Sequence, residues 1–420
     1  MKLRRFLLRY YPPGIGLEYI QNEKVKTKIV DLLDLSQRTD IQCLAEELFE
    51  KEPLITQSVL PQLKESLTKL QKKLADSANK RFHKYRRLTG NILPLTNVAF
   101  DKDGERCLTG SYDRTCRIWN VEDGKQVHCL EGHKSVVYTV AFNLPQCNQV
   151  LTGSFDMTAK VWSADTGVCL RTLWGHTAEV VAAKFDPHNQ IVGTGSMDHT
   201  ARIFDLPTGQ ELGVLKGHTG EIASLHFNTD GNQLITGSFD NTISVWDTRT
   251  MKRTGVLIGH TSEVSNCLYN FDCSLIASSS VDKTAKVWDP RMFSCMATIM
   301  GHDSEVLDIS FDWRGKRLAT ASSDCTARVW DVESNFQLLT VMEGHKEEVS
   351  QVCFSPAGTQ LLTASDDKTS RLWNVETGCC LQILDGHSSE VFSCAFNYTG
   401  DVILTASKDN TCRIWKCENA

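Results

Sequence analysis

The sequence predicts an all-β protein, a closed propeller of eight four-stranded blades with a small, mainly helical module at its N-terminal end. Three observations carry the prediction. They are a repeat of 42 or 43 residues, a constant set of polar and aromatic residues inside each repeat, and a strand-like segment displaced from the last repeat to a place before the first.

The repeat is read from residue types in phase. A Gly-His pair recurs at His133, His176, His218, His260, His302, His345 and His387. An Asp stands at Asp113, Asp156, Asp198, Asp240, Asp282, Asp324, Asp367 and Asp409. Six residues after each Asp comes an aromatic: Trp119, Trp162, Phe204, Trp246, Trp288, Trp330, Trp373 and Trp415. Four residues before each Asp comes a hydroxyl: Thr109, Thr152, Thr194, Thr236, Ser278, Thr320, Thr363 and Thr405. Each unit reads as four short strands, a to d. In the second, Val136–Phe142 is a, Gln149–Gly153 is b, Ala159–Trp162 is c and Val168–Leu173 is d. Gly-His then falls in the d–a connection and Asp in the tight b–c turn.

That placement explains the chemistry. The Asp carboxylate accepts from the His ring, the other ring nitrogen meets the Thr hydroxyl, and the indole N–H donates to the same hydroxyl. The complete tetrads include His133, Thr152, Asp156 and Trp162, and His218, Thr236, Asp240 and Trp246. A catalytic or metal reading fails on geometry, because one His per blade spread around a ring gives no two that share a metal. Each hydroxyl is also already engaged, which leaves no nucleophile. No catalytic residue, cofactor or metal is expected. Phe204 lacks an N–H and Asn91 stands where the first unit needs His, so blades 1 and 3 are expected to be looser.

After Trp415 five residues remain, too few for a fourth strand. Residues 81–88, Arg-Phe-His-Lys-Tyr-Arg-Arg-Leu, precede Gly90-Asn91 where a d strand belongs. They are expected to close the eighth blade, making 81–420 the propeller and 1–80 the module. Within the module, residues 39–75 read as helical. Thr39 or Asp40 caps a helix carrying Ile41, Leu44 and Leu48, which Pro53 ends. Leu60, Leu63, Leu67, Leu70 and Leu74 form an apolar stripe, for coiled-coil pairing or for packing on the first helix or the propeller. Residues 29–35 read as a strand or turn without a fixed place.

Composition narrows the function. Residues 1–90 hold 18 Lys and Arg against 11 Asp and Glu, a net of +7, and residues 91–420 hold 27 against 40, a net of −13. A basic arm on an acidic body suits protein partners and argues against nucleic acid. The 16 cysteines include no C-x-x-C, and Cys116, Cys169, Cys267, Cys394 and Cys412 fall singly along strands as small apolar residues of a reducing compartment. No apolar run is long enough to span a membrane, and the apolar stretch after Met1 is too short for a signal peptide. A soluble, cytosolic monomer is expected.

With no catalytic constellation, binding must come from loops. Three residues after each His stand Glu179, Glu221, Glu263, Glu305, Glu348 and Glu390, with Val136 breaking the set. Two readings stand: a crown of carboxylates for a basic partner segment, or a position that tolerates polar residues. Just before the turn Asp come Tyr112, Phe155, Met197, Phe239 and Val281 in blades 1–5, then Ser323, Asp366 and Lys408. The apolar five are either an exposed interface patch or partly buried between blades. A groove between the basic module and blades 8 and 1 is a second expected site. An enzyme would need charges converging in the central channel, and strand a reads as mostly apolar or small.

Beyond the WD-repeat pattern, Leu7-Leu8-Arg9-Tyr10-Tyr11-Pro12-Pro13-Gly14-Ile15, Asp31-Leu32-Leu33-Asp34-Leu35 and Ile92-Leu93-Pro94-Leu95-Thr96-Asn97-Val98 closely resemble the WD-repeat dynein assembly factors along the whole chain. The resemblance implies an adaptor that carries outer-arm dynein, as preassembled cargo, onto intraflagellar-transport trains. Its implied partners are a train subunit and outer-arm dynein components, in the cytoplasm and the cilium or flagellum, at the axoneme and basal body region. The competing class is a substrate receptor of a ubiquitin ligase, and residues 1–80 do not read as an F-box or similar docking module.

Overall fold

The computed structural model describes residues 2–9, 13–21, 24–32, 35, 39–76 and 80–418. Tyr10 to Pro12, Leu33, Asp34 and the side chain of Leu74 lie outside the described set. The chain opens with three strands, β1 (Lys2–Arg9), β2 (Gly14–Gln21) and β3 (Lys24–Asp31), paired antiparallel in that order. Two helices follow, α1 (Ile41–Lys51) and α2 (Leu60–Asp76). The "mainly helical" expectation is therefore corrected, since the module is a sheet on a helix pair. In β2 the first five residues are buried, and Ile15 and Leu17 among them enter the module core. β3, Lys-Val-Lys-Thr-Lys-Ile-Val-Asp, looks like a charged linker until its register with β2 is known (Ile15↔Val30, Leu17↔Lys28).

One face of this sheet packs on the helices. Ile15 and Leu17 join Ala45, Leu48, Leu63, Leu67 and Leu70, so the α2 stripe is spent inside the module rather than on a second chain. Asp40 caps α1, its carboxylate accepting from the Gln42 N–H at 2.8 Å. Residues 29–31 finish β3, and Leu32 and Leu35 turn inward to the same core. No helix among the described residues is long and apolar enough to cross a membrane.

Eight four-stranded sheets follow. Their inner strands are Leu95–Phe100, Val137–Phe142, Val180–Phe185, Ile222–Phe227, Val264–Tyr269, Val306–Phe311, Val349–Phe354 and Val391–Phe396. Each begins with a fully buried aliphatic residue and ends on an aromatic one. In each inner pair the register slips by one residue near the top, as between Val180 and Ala182, a bulge that adds twist where blades crowd the axis.

Blade 8 is completed from the other end of the ring. Its third strand, Thr411–Cys417, pairs antiparallel with β4 (Phe82–Thr89), and Arg413 faces Arg87. Phe82 is buried with Trp415 and Leu362 of blade 7, whereas Leu88 is buried with Trp119 and Leu95 of blade 1. One strand thus anchors on both neighbouring blades. The Gln382 side-chain amide of blade 7 also accepts from the Phe82 N–H at 2.9 Å and donates to its carbonyl.

The module rests on the end of the ring formed by the a–b turns of blades 5 to 8. Arg314 donates to the Leu35 carbonyl at 2.8 Å, Arg9 lies over the Phe271 ring at 5.9 Å, and Ala357 and Tyr398 join the module core. The Lys80 ammonium, nearly buried, donates to the Gly400 carbonyl at 3.0 Å and to Asp401 at 2.5 Å.

The channel departs from the apolar lining expected for it. Lys184, His226 and Asp308 all project from inner strands. Asp308 accepts from Asn266 at 2.7 Å and from the Val352 N–H at 3.0 Å, latching blades 5, 6 and 7 together. Burial raises the Asp308 pKa, and burial with the charge of Lys184 pushes His226 down to about 4. Cavities of about 460 and 520 Å³ at the channel are both lined by Lys184 and His226. Among the described residues no three His, Cys, Asp or Glu gather to hold a metal. The cysteines are free. Cys116, Cys267, Cys394 and Cys412 are buried, and burial pushes the Cys267 thiol up to about 12, but Cys169 is exposed on an outer strand and belongs to no core.

Candidate interaction surfaces

The top of the ring is built on the polar tetrads. In blade 2, His133 Nδ1 lies 2.8 Å from Asp156, His133 Nε2 lies 2.7 Å from the Thr152 hydroxyl, and the Trp162 indole donates to that hydroxyl at 2.8 Å. In blade 4 the three distances, through His218, Asp240, Thr236 and Trp246, are each 2.8 Å. Each Asp also accepts backbone N–H groups, as Asp240 does from Thr219 and Thr242. Burial works to raise these carboxyls, but the hydrogen bonds from His and Thr prevail and hold Asp156, Asp198, Asp240, Asp282, Asp324, Asp367 and Asp409 below the usual carboxylate range. Burial likewise lowers His218, His260, His302 and His387 against the pull of their aspartates. In these four blades the clamp is therefore neutral imidazole on carboxylate.

The glycine before the His is a conformational requirement in six of the seven blades that have the pair, at Gly132, Gly175, Gly217, Gly301, Gly344 and Gly386. Gly132 has φ +148° and Gly386 has φ +121°, where a side chain is strained. Blade 1 keeps a clamp without a His. The Asn91 amide donates to Asp113 at 3.1 Å and accepts from Thr109 at 3.2 Å, so a shorter side chain makes the same two contacts over slightly longer distances. Blade 3 keeps Asp198–His176–Thr194 and lacks only the indole bond, since Phe204 is fully buried in its place.

The two patterns read from the loops are one structural feature. In each blade the residue before the turn Asp donates its N–H to the carbonyl of the residue three after the His. Met197 donates to Glu179 at 2.9 Å, Phe239 to Glu221 at 2.8 Å, Val281 to Glu263 at 3.0 Å, Ser323 to Glu305 at 3.0 Å, Asp366 to Glu348 at 3.0 Å and Lys408 to Glu390 at 2.9 Å. In blades 3 to 5 each carboxylate thus stands beside an apolar side chain. Glu305 and Glu348 are exposed, and Glu179, Glu221, Glu263 and Glu390 are half-buried. Glu390 is tied by the Ser389 hydroxyl and by Lys408 at 3.2 Å, which push it down to about 2.

The apolar set is less uniform than expected. Tyr112 and Phe239 are exposed, whereas Phe155, Met197 and Val281 are half-buried. Phe155 stacks on Tyr138, ring centroids 5.3 Å apart. Tyr138 was not singled out from the sequence; it is the extra residue of the bulge in its inner strand, which frees its side chain from the ladder. Ile92 (75% exposed) and Leu93 extend this patch beside Tyr112, whose N–H donates to Pro94. The top is therefore apolar over blades 1 and 2 and acidic over blades 6 to 8. There burial, then Glu348, Glu390 and Glu347, raise the Asp366 pKa.

A family model described as WD domain, G-beta repeat, matches residues 83–120, 124–163, 167–205, 209–247, 251–289, 293–331, 336–374 and 378–416. The chain is 56% identical over 192 residues to a protein of Macaca fascicularis named dynein assembly factor with WD repeat domains 1, a match covering 46% of each. The proteins of that name from Homo sapiens and Danio rerio are 55% and 54% identical over the same length. The matched stretch spans about half the length of these curated relatives. Among solved structures, the computationally designed Ika8 protein superposes with a TM-score of 0.70 at 30% identity, over 78% of this chain and 98% of that one.

Proposed function

Because the chain belongs to the WD-repeat (G-beta repeat) family, we propose that this scaffold is a non-enzymatic adaptor linking preassembled outer-arm dynein to the intraflagellar-transport machinery. The observation that carries the reading is the identity, above half, to relatives named as dynein assembly factors. A role in dynein assembly needs at least two docking surfaces of different character, one for cargo and one for train. Two are available: the apolar and acidic top, and the side where the basic module meets the a–b turns of blades 5 to 8, in place of the groove with blades 8 and 1 expected from the sequence. The adaptor works as a monomer, in the cytoplasm and at the base and axoneme of motile cilia. A basic or amphipathic segment takes the top, apolar anchors over Tyr112, Tyr138 and Phe155 and cations toward the glutamates.

The test is Glu221, Glu263 and Glu305 changed together to Lys. Binding to dynein components and to train components is then measured separately on the folded protein. One partner is expected to weaken by at least about tenfold with strong salt dependence, and the other to persist. Stability should move by less than about 0.5 kcal/mol per site. Parental affinity for both partners would refute the top as a docking surface.

A further inference from the structure

The outer strand of blade 8 differs from the other seven. In blades 1 to 7 the outer strands Gln126–Leu130, Cys169–Leu173, Glu211–Lys216, Lys252–Ile258, Ser294–Ile299, Gln337–Met342 and Cys380–Leu384 carry at most two Lys or Arg each, and four of them carry neither. The closing strand β4 reads Phe-His-Lys-Tyr-Arg-Arg-Leu-Thr, preceded by Arg81, and has no acidic residue. Phe82 and Leu88 point into the blade interfaces, leaving Arg81, His83, Lys84, Arg86 and Arg87 exposed along the rim.

These cations are unneutralised. Among the described residues Arg81, Lys84, Arg86 and Arg87 form no ion pair, whereas neighbouring Lys80 and Lys416 have Asp401 and Glu122. Arg86 and Lys416 instead lie on the Tyr85 ring, at 4.6 and 4.8 Å from its centroid. Tyr85 is held in turn by its hydroxyl donating to the Glu122 carbonyl at 2.9 Å. Arg87 also faces Arg413 across the pair. Burial lowers the Arg413 pKa, Asp409 opposes this, and the like charge of Arg87 adds to it. Packing like charges together disfavours the free fold, and here it happens on the one strand that closes the ring.

We infer that the outer strand of blade 8 is a docking strip for an extended acidic polypeptide segment of a partner. Charge complementarity sets the sign, and shape selects the class. Eight residues of strand make a strip about 25 Å long and one chain wide. The rest of the ring is acidic, a net of −13 over residues 91–420. A flat phosphate surface or a duplex reaching the strip would also meet that acidic body, including Glu122 beside Tyr85; a single extended chain need not. The inference deepens the two-surface adaptor by naming the chemistry of the partner on the module side, and it rests on that reading only for its biological use.

The probe is a fluorescein-labelled oligoglutamate peptide, read by anisotropy with the purified full chain. The parent is expected to bind it, and binding should fall by at least about tenfold between about 50 and about 500 mM salt. The variant Lys84→Gln, Arg86→Gln, Arg87→Gln should lose at least about tenfold in affinity. Lys84→Arg, Arg86→Lys, Arg87→Lys keeps the charge and should retain binding, which guards against a loss caused by weakened ring closure. Lys252→Gln with Arg253→Gln, on the outer strand of blade 4, should change nothing. No peptide binding by the parent, or equal binding by parent and neutralised variant, overturns the inference. So does tighter binding of duplex RNA or phosphatidylserine vesicles than of peptide through the same residues. The assay contains no dynein or transport protein, so its failure leaves the proposed role of the top untouched.

Discussion

Each blade of the ring carries its own repeated polar clamp, whereas the described residues of the module share one apolar core. In the ring, seven histidines each bridge a carboxylate and a hydroxyl across three strands. In the module, β2 and the two helices meet through Ile15, Leu17, Leu63, Leu67 and Leu70, and the ion pairs of Glu18 with Arg4 and Arg5 lie on the opposite face of the sheet. The ring is thus held by directional bonds repeated in register, and the module by apolar contact that only its own tertiary fold brings together. Directional clamps make a rigid ring whose loops are free to vary. The module is seated on the ring through Arg314 to Leu35, Arg9 over Phe271 and an apolar contact with Ala357 and Tyr398.

The largest effect that separates the two regions is at their junction. Deleting residues 1–90 removes β4 and leaves Thr411–Cys417 as an open edge, so the ring should melt far below the parent. Deleting residues 1–78 removes the module and keeps β4, so the ring should melt close to the parent. Calorimetry on both truncations decides it, and equal melting temperatures would show that β4 is not what closes the ring.

Acid should reach the ring before the module. His218, His260, His302 and His387 are held below the ordinary value of 6.5, so the unfolded chain takes up protons first as pH falls through that value. The seven aspartates are held below their ordinary 3.8, so the same sign holds again below about pH 4. Stability present at neutral pH should therefore decline from about pH 6.5 downward and faster below about pH 4. Thermal melts of the 1–78 truncation, the ring alone, should show this decline; a flat profile from pH 7 to 4 would contradict the protonation states assigned to the clamps.

The smallest effect compares blades. Asp240→Ala orphans His218 in a complete tetrad and should cost about 1–3 kcal/mol. Asp198→Ala should cost less, because Thr194 already lacks an indole donor and Phe204 packs without it. Denaturant midpoints in the reverse order would mean that the indole bond adds nothing to the network.

Much of this architecture was legible because the ring is quasi-one-dimensional. A clamp that recurs every 42 or 43 residues writes its geometry into residue types, so His133 and Asp156 could be paired before any strand was placed. The same holds for α1, where Asp40 precedes an apolar spacing that ends at Pro53. The loops were half legible. Their phase located Glu221 and Phe239 on one end of the ring, but the bond between them joins residues 18 apart and followed only from the folded turn.

What the sequence determined by itself, then, is the repeat, the clamp and the need for a borrowed strand, because each depends on local residue type at a fixed interval. Tertiary structure alone decided the rest. It paired β3 with β2, since strand partners are set by register between distant segments and not by composition. It buried Phe155 halfway, since the bulge of its own blade's inner strand sets Tyr138 against its ring. It put Lys184, His226 and Asp308 in one channel, because an inner strand reads as apolar until seven others surround it.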